Sequence, residues 1–278
     1  MLNWIIGNIF GNYQIFLAFV AAICILPIAL LYCEDRHFGF LKIVIFVNLP
    51  TFVMMFSGLR QAIAISIGTI AYHFVRKKKL FPFLLTVLIA FGFHKSSFML
   101  LPMYWIYQIR FKRKHLLIIA PAMVVLYLFN STIFNFLLTF IGDYADKYDA
   151  TAGATGAVNM LILFGLFVIF SYVLSDESKM TDEMFGLRNF LLVCFALQCF
   201  APVHNLAMRL NYYYILFIPI AVAKVFPVVR SQYRQIAKLA HIVLCAFFTV
   251  YFLYTSYISC ITGISDLDTF PYVPFWRG

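Results

Sequence analysis

An all-α, polytopic transmembrane bundle is the fold class this sequence predicts, and three observations predict it. Of 278 residues, 64% are hydrophobic and only 12% are charged, about half the charged share of a soluble domain. The apolar residues gather in windows of about 14 to 22 residues that recur along the whole chain. The 33 Phe and 17 Tyr suit lipid-facing surface and interfacial belts. In hydrocarbon every backbone polar group must be satisfied inside the segment, which a helix does by itself.

The windows place about ten membrane segments, near 13–32, 40–57, 59–75, 80–93, 96–109, 115–130, 157–174, 186–203, 206–227 and 237–258. They form one transmembrane domain over 1–278, with no soluble domain, low-complexity linker or internal repeat. The opening stretch from Met1 to Gln14 has no basic leader and no small-residue cleavage site, so it does not read as a signal peptide. The net charge of +10 is then a matter of membrane topology and anionic lipid, and no nucleic-acid partner is implied. Cys24, Cys33, Cys194, Cys199, Cys245 and Cys260 lie mostly inside apolar runs. They read as small buried hydrophobes, with no disulfide framework, no zinc spacing and no metal or cofactor motif.

Loop charge sets the orientation. Arg76 to Lys79, Arg110 to Lys114, and Arg230 with Arg234 and Lys238 are the densest basic runs, and the positive-inside rule puts all three in the cytoplasm. Two runs on one side require an even number of crossings between them. Residues 80–109 therefore form a hairpin, turned at His94-Lys95-Ser96-Ser97. Each arm of about 14 residues reaches roughly 21 Å, short of a core of roughly 30 Å, so a re-entrant hairpin fits.

All but five of the 21 Lys and Arg then lie inside. Lys147 stands among Asp143, Asp146 and Asp149, and Arg277 is at the tail. The other three, Arg60, Lys95 and Arg209, each fall near the start of an inward-running helix. Ser57-Gly58 is expected to cap the first of these helices, and Ser96-Ser97 the second arm of the hairpin. Cations are normally disfavoured at helix N-termini. An anion bound there reverses the balance, because free N–H groups, the dipole and the side chains then act together. The alternative for each cation is snorkelling to headgroups. As a group they point to a site for an anionic, lipid-borne substrate, with Gln61 and Ser96 beside them.

His94 and His204 also lie on the outer side. Each is a candidate general base kept neutral by a neighbouring cation, or a residue that orders its turn by hydrogen bonding; the second reading is the stronger. Asn205, Asn211 and Tyr212-Tyr213-Tyr214 continue the second cluster. At least two of the three tyrosines are expected to be interfacial, with one free to stack on a sugar. The long outer loop near 131–156 combines carboxylates and aromatics, a carbohydrate-site composition that any solvated loop shares.

Ser57-Gly58-Leu59-Arg60-Gln61-Ala62, the basic turn after it, and Phe93-His94-Lys95-Ser96-Ser97 resemble the core of the EpsG family, the Wzy-like bacterial exopolysaccharide polymerases. Arg209-Leu210-Asn211-Tyr212-Tyr213 is similar to that family's second arginine region, and Pro271 to Trp276 to its usual ending. The family generally begins with further spans, so the chain is expected to start near the end of that first part. The resemblance implies a GT-C-like polymerase architecture in the bacterial plasma membrane. It implies the joining of undecaprenyl-diphosphate-linked oligosaccharides at the outer face, without a metal or cofactor. A flippase and a chain-length regulator of the same pathway would be partners. Under this reading Arg60, Arg209 and His94 are catalytic, and Gln61, Lys95, Ser96, His204, Tyr212 and Tyr213 contact the diphosphate or sugar. Two other classes compete. A lipid-linked oligosaccharide flippase should carry cations through the midplane, and a membrane O-acyltransferase or ligase should depend on a histidine more than on the cations.

Overall fold

The protein is described from a computed structural model covering residues 13–35, 37–139 and 154–262. The loop from Asp143 to Asp149, Arg277 and the ending Pro271 to Trp276 lie outside the described residues. The described chain is helical, with one isolated bridge between Ser175 and Val229. It divides into two compact units, one of residues 1–98 and 244–278 and one of residues 99–243.

The first unit contains α1 (Tyr13–Cys33), α2 (Gly39–Val47), α3 (Pro50–Ser57), α4 (Leu59–Arg76) and α5 (Leu80–Phe93). α4 is its centre. Ala62, Ala64, Gly68 and Ala71 are buried along it, and such small side chains let backbones approach closely in a membrane. α1 carries Pro27 in its interior, which lacks an N–H and so frees the carbonyl of Ile23 one turn earlier. Ser66 of α4 supplies the missing donor, its Oγ lying 2.9 Å from Ile23 O. The end of α1 is held twice more. Buried Lys42 donates Nζ to Tyr32 O at 2.5 Å and to Asp35 O. Arg76 makes a two-pronged pair with Glu34 at 2.7 and 2.8 Å, its guanidinium 5.0 Å from the Tyr72 ring centroid. Cations at a helix C-terminus meet its carbonyls and its dipole favourably.

The second unit contains α6 (Met103–Gln108), α7 (Leu116–Leu128), α8 (Asn130–Leu138), α9 (Ala154–Val173), α10 (Asp182–Gln198), α11 (Asn205–Ile215) and α12 (Ile218–Val225). The last helix, α13 (Arg234–Thr262), begins in this unit and ends in the first. α10 is buried all round from Phe185 to Leu192, as a central helix must be. Its start is well specified: Thr181 Oγ1 accepts from Met184 N at 3.3 Å, with Asp182 and Glu183 in the first turn, where carboxylates suit the dipole. α6 lies against α10 at Gly186, where an added Cβ would come within 2.2 Å of the Tyr107 ring.

The expected count of about ten spans is not met. Among the described residues three helices are long and apolar enough to cross a membrane by length and composition, or up to six if each bent pair is one span. The window 40–57 breaks between α2 and α3 by 57°, 115–130 ends in a 75° bend into α8, and 206–227 bends by 46° between α11 and α12. Polar or proline residues mark two of the breaks. Asn48 turns its amide onto Val44 O and Phe248 O just before Pro50, and Pro219 opens α12. The second arm of the hairpin is no continuous helix either, because a 3-10 turn over Lys95–Leu100 and Pro102 precede the six-residue α6. Windows 13–32, 59–75, 80–93 and 157–174 coincide with α1, α4, α5 and α9 to within a few residues. The 186–203 window is displaced, since the Thr181 cap starts α10 earlier.

Candidate functional site

In the first unit the candidate residues sit at two helix junctions. Gly58 is both the end of α3 and the start of α4, with its N–H on Met54 O and its C=O receiving Ala62 N, each at 2.9 Å. The expected side-chain cap is absent: Ser57 Oγ lies 3.9 Å from Met54 Sδ, and Gly58 has no side chain to offer. The Met54 methyl occupies the space a Cβ at residue 58 would need, at 1.9 Å, which suits a glycine to this junction. Arg60 follows in the first turn of α4 and is exposed. Gln61, about 100° further round the helix, is buried.

At the second junction His94 ends α5 with extended backbone. Its Nδ1 lies 2.6 Å from Ser96 Oγ and accepts from Ser96 N at 3.3 Å, while Ser97 N donates to His94 O at 3.1 Å. The histidine therefore does the capping expected of Ser96 and Ser97, both of which are buried. Lys95 is exposed at the head of the 3-10 turn. Arg60, Gln61, His94, Lys95 and Ser96 thus belong to one unit.

His204, Arg209, Tyr212 and Tyr213 belong to the other. His204 repeats the device of His94. Its backbone is extended, and Nδ1 accepts from Leu206 N at 3.1 Å, capping α11. Its ring centroid is 5.6 Å from that of Phe134, inside an apolar cluster of Phe134, Phe200, Leu206, Ala207 and Leu210. An imidazole that accepts at Nδ1 carries its proton on Nε2. Arg209 is half-buried one turn on, with half-buried Tyr212 three residues later on the same helix face. Tyr213 and Tyr214 turn into the core, and Tyr214 donates its hydroxyl to Met99 O at 3.0 Å. Buried Asn211 donates to Cys194 O and Gln198 Oε1, both at 3.0 Å, and Gln198 donates to Ala157 O at 3.0 Å. That chain of amides fixes α11 against α10 and α9.

Arg188 of α10 did not stand out in the sequence, where it reads as one more basic residue near a span end. It is fully buried. Its guanidinium donates to Glu177 Oε1 at 2.8 Å, to Ser175 Oγ at 3.3 Å, to Ser171 O at 3.4 Å and to Phe111 O. It also lies 4.0 Å from the Tyr172 ring centroid and 4.9 Å from that of Phe185. Next to it, Asn189 donates to Ile106 O at 2.8 Å and Ile109 O at 2.6 Å, closing the end of α6. Arg113 donates Nε and Nη2 to Tyr172 O at 2.9 and 2.8 Å and Nη2 to Val173 O, closing the end of α9. Its backbone N–H reaches Glu177 Oε1 at 2.8 Å. Further out, the Ser178 hydroxyl at 2.7 Å and then Lys179 at 3.0 Å hold the Asp176 carboxyl below its ordinary value. The useful signal was an Arg-Asn pair inside an apolar window, since buried polar groups need partners.

All six cysteines carry free thiols. Among the described residues no group of three or more His, Cys, Asp or Glu could hold a metal ion.

A profile described as the EpsG family matches residues 1–272. The expected start near the end of the family's first part is not borne out by this match. No curated protein matches, and no solved structure matches.

Proposed function

This chain belongs to the EpsG family, and we propose that it is a membrane polysaccharide polymerase of exopolysaccharide or capsule biosynthesis. It joins oligosaccharide repeat units carried on undecaprenyl diphosphate at the outer face of the bacterial plasma membrane. The family match over nearly the whole chain carries this reading. The apolar helices agree with it. The exposed Arg60 and Lys95, each at a helix start, and the half-buried Arg209 supply the cations it needs.

In the proposed reaction an acceptor hydroxyl attacks the anomeric carbon, the C–O bond to the diphosphate breaks, and the diphosphate departs with the electron pair. Arg60, Lys95 and Arg209 stabilise its growing negative charge. Gln61 and Ser96 of the first unit and His204 and Tyr212 of the second are the further proposed contacts, and Tyr213, turned into the core, is proposed to support α11 behind Tyr212. Where the hydroxyl proton goes depends on the His94 tautomer. With Nδ1 donating to Ser96 Oγ, Nε2 of His94 takes it. With Nδ1 accepting, the departing diphosphate takes it and His94 orients the turn. The 3.3 Å approach of Ser96 N–H to Nδ1 favours the second.

Arg60→Ala, Lys95→Ala and Arg209→Ala test the site in cells. Each is expected to abolish long polymer while single repeat units still reach the outside. Normal chain lengths in all three variants would remove the cations from the mechanism, and repeat units trapped on the inner leaflet would identify a flippase instead.

A further inference from the structure

The second unit holds an apolar groove of about 420 Å³ between α7, α9 and α10, within the ~300–1,000 Å³ typical of ligand pockets. Leu116, Ile119 and Met123 form one wall, Leu161 and Val168 another, and Leu192 the floor. Gly165 faces Phe195 with no side chain of its own, and a Cβ there would come within 3.1 Å of the ring. One end of the groove is basic. Its last α9 residues, Tyr172 and Val173, are the two whose carbonyls Arg113 grips. Lys112 and Lys114, both exposed, flank that arginine, and α7 starts two residues later at Leu116.

We infer that this groove binds an anionic glycerophospholipid, with one acyl chain between α7, α9 and α10 and the phosphate at Lys112 and Lys114. Length selects this occupant. From Leu161 to Val173 the groove follows α9 for about 18 Å, close to one leaflet of a core of roughly 30 Å. Charge selects the headgroup, because basic residues at the end of an interhelical groove favour anionic lipid. The polymerase substrate is a poor fit to the same position. Its diphosphate is assigned near Arg209, and the chain reaches that residue only after α10 has run the other way from the Asp182 end, about 25 Å in 17 residues.

Native mass spectrometry of the purified full-length protein tests this. The protein is taken from bicelles of phosphatidylglycerol, of phosphatidylethanolamine, or of phosphatidylglycerol doped with undecaprenyl phosphate. Retained phosphatidylglycerol adducts are expected, and few from phosphatidylethanolamine. Lys112→Gln and Lys114→Gln should each lower phosphatidylglycerol retention roughly five-fold. Ala120→Trp, on the exposed side of the groove wall, should remove it with the fold intact. Equal retention of the two phospholipids, no loss in Ala120→Trp, or displacement of phosphatidylglycerol by undecaprenyl phosphate would each overturn the inference. None of these readouts depends on the polymerase reaction.

Discussion

Ser66 Oγ of α4 donates to the carbonyl of Ile23 in α1 at 2.9 Å, and that carbonyl is the one Pro27 leaves without its helical partner. A proline in a membrane helix is tolerated when a neighbour satisfies the freed group. Ser66→Ala should therefore cost about 0.6–1 kcal/mol. In a Pro27→Ala background residue 27 regains its N–H and most of that cost should vanish. Thermal unfolding of the four proteins of the cycle measures the coupling, and additive losses would mean that the hydroxyl does not serve the proline.

Arg188 is sealed from water and Glu177 is about a quarter exposed, so the two partners should not be equivalent. Arg188→Ala opens a cavity and strips Phe111 O, Ser171 O and Ser175 Oγ of their donor as well as removing the ion pair, and should cost about 3–5 kcal/mol. Glu177→Ala leaves Arg188 its other acceptors and should cost less. Detergent-solution melting temperatures give the order, and a larger loss from Glu177→Ala would contradict this picture of the buried knot.

The two histidine caps predict a rescue. His204→Ala should destabilise by about 1 kcal/mol, while His204→Asn keeps an acceptor for Leu206 N and should stay near the parent. The same pair of changes at His94 separates orientation from proton transfer. If His94→Asn restores both stability and polymer, the ring is a cap. If it restores stability alone, the imidazole takes part in the chemistry.

Two glycines make contrasting predictions. At residue 186 an added methyl meets the Tyr107 ring, and Gly186→Ala should cost about 1–3 kcal/mol. At residue 58 it meets the mobile end of Met54, and Gly58→Ala should cost clearly less. Tyr107→Ala combined with Gly186→Ala should recover part of the first loss, read by the temperature at which the protein leaves solution.

Composition and hydropathy settled the class, because no soluble fold places so much apolar surface in windows of that length. They also located α1, α4, α5 and α9, each of which ends at or within three residues of a charge: Glu34, Arg76, Lys95 and Asp176. The breaks at Asn48, at the α7–α8 junction and before Pro219 were not legible. A bent pair and a straight span have the same hydropathy, and only packing decides whether the backbone turns.

The candidate site divides in the same way. Charge position singled out Arg60, Lys95 and Arg209, since a cation is conspicuous wherever the apolar pattern makes it expensive. Which cations stand exposed and which are locked came from the fold alone. Lys42, Arg76, Arg113 and Arg188 look like ordinary loop or span-end charges in one dimension, yet each closes a helix end or a buried ion pair. The partners of Arg76 and Arg113, and the Phe111 carbonyl that Arg188 reaches, lie 42 to 77 residues away and leave no local pattern. By itself the sequence determined that this is a membrane protein of the EpsG family with scarce, purposeful charge. Only the tertiary structure decided which charges serve the architecture, because a buried donor is defined by the acceptors that distant segments bring to it.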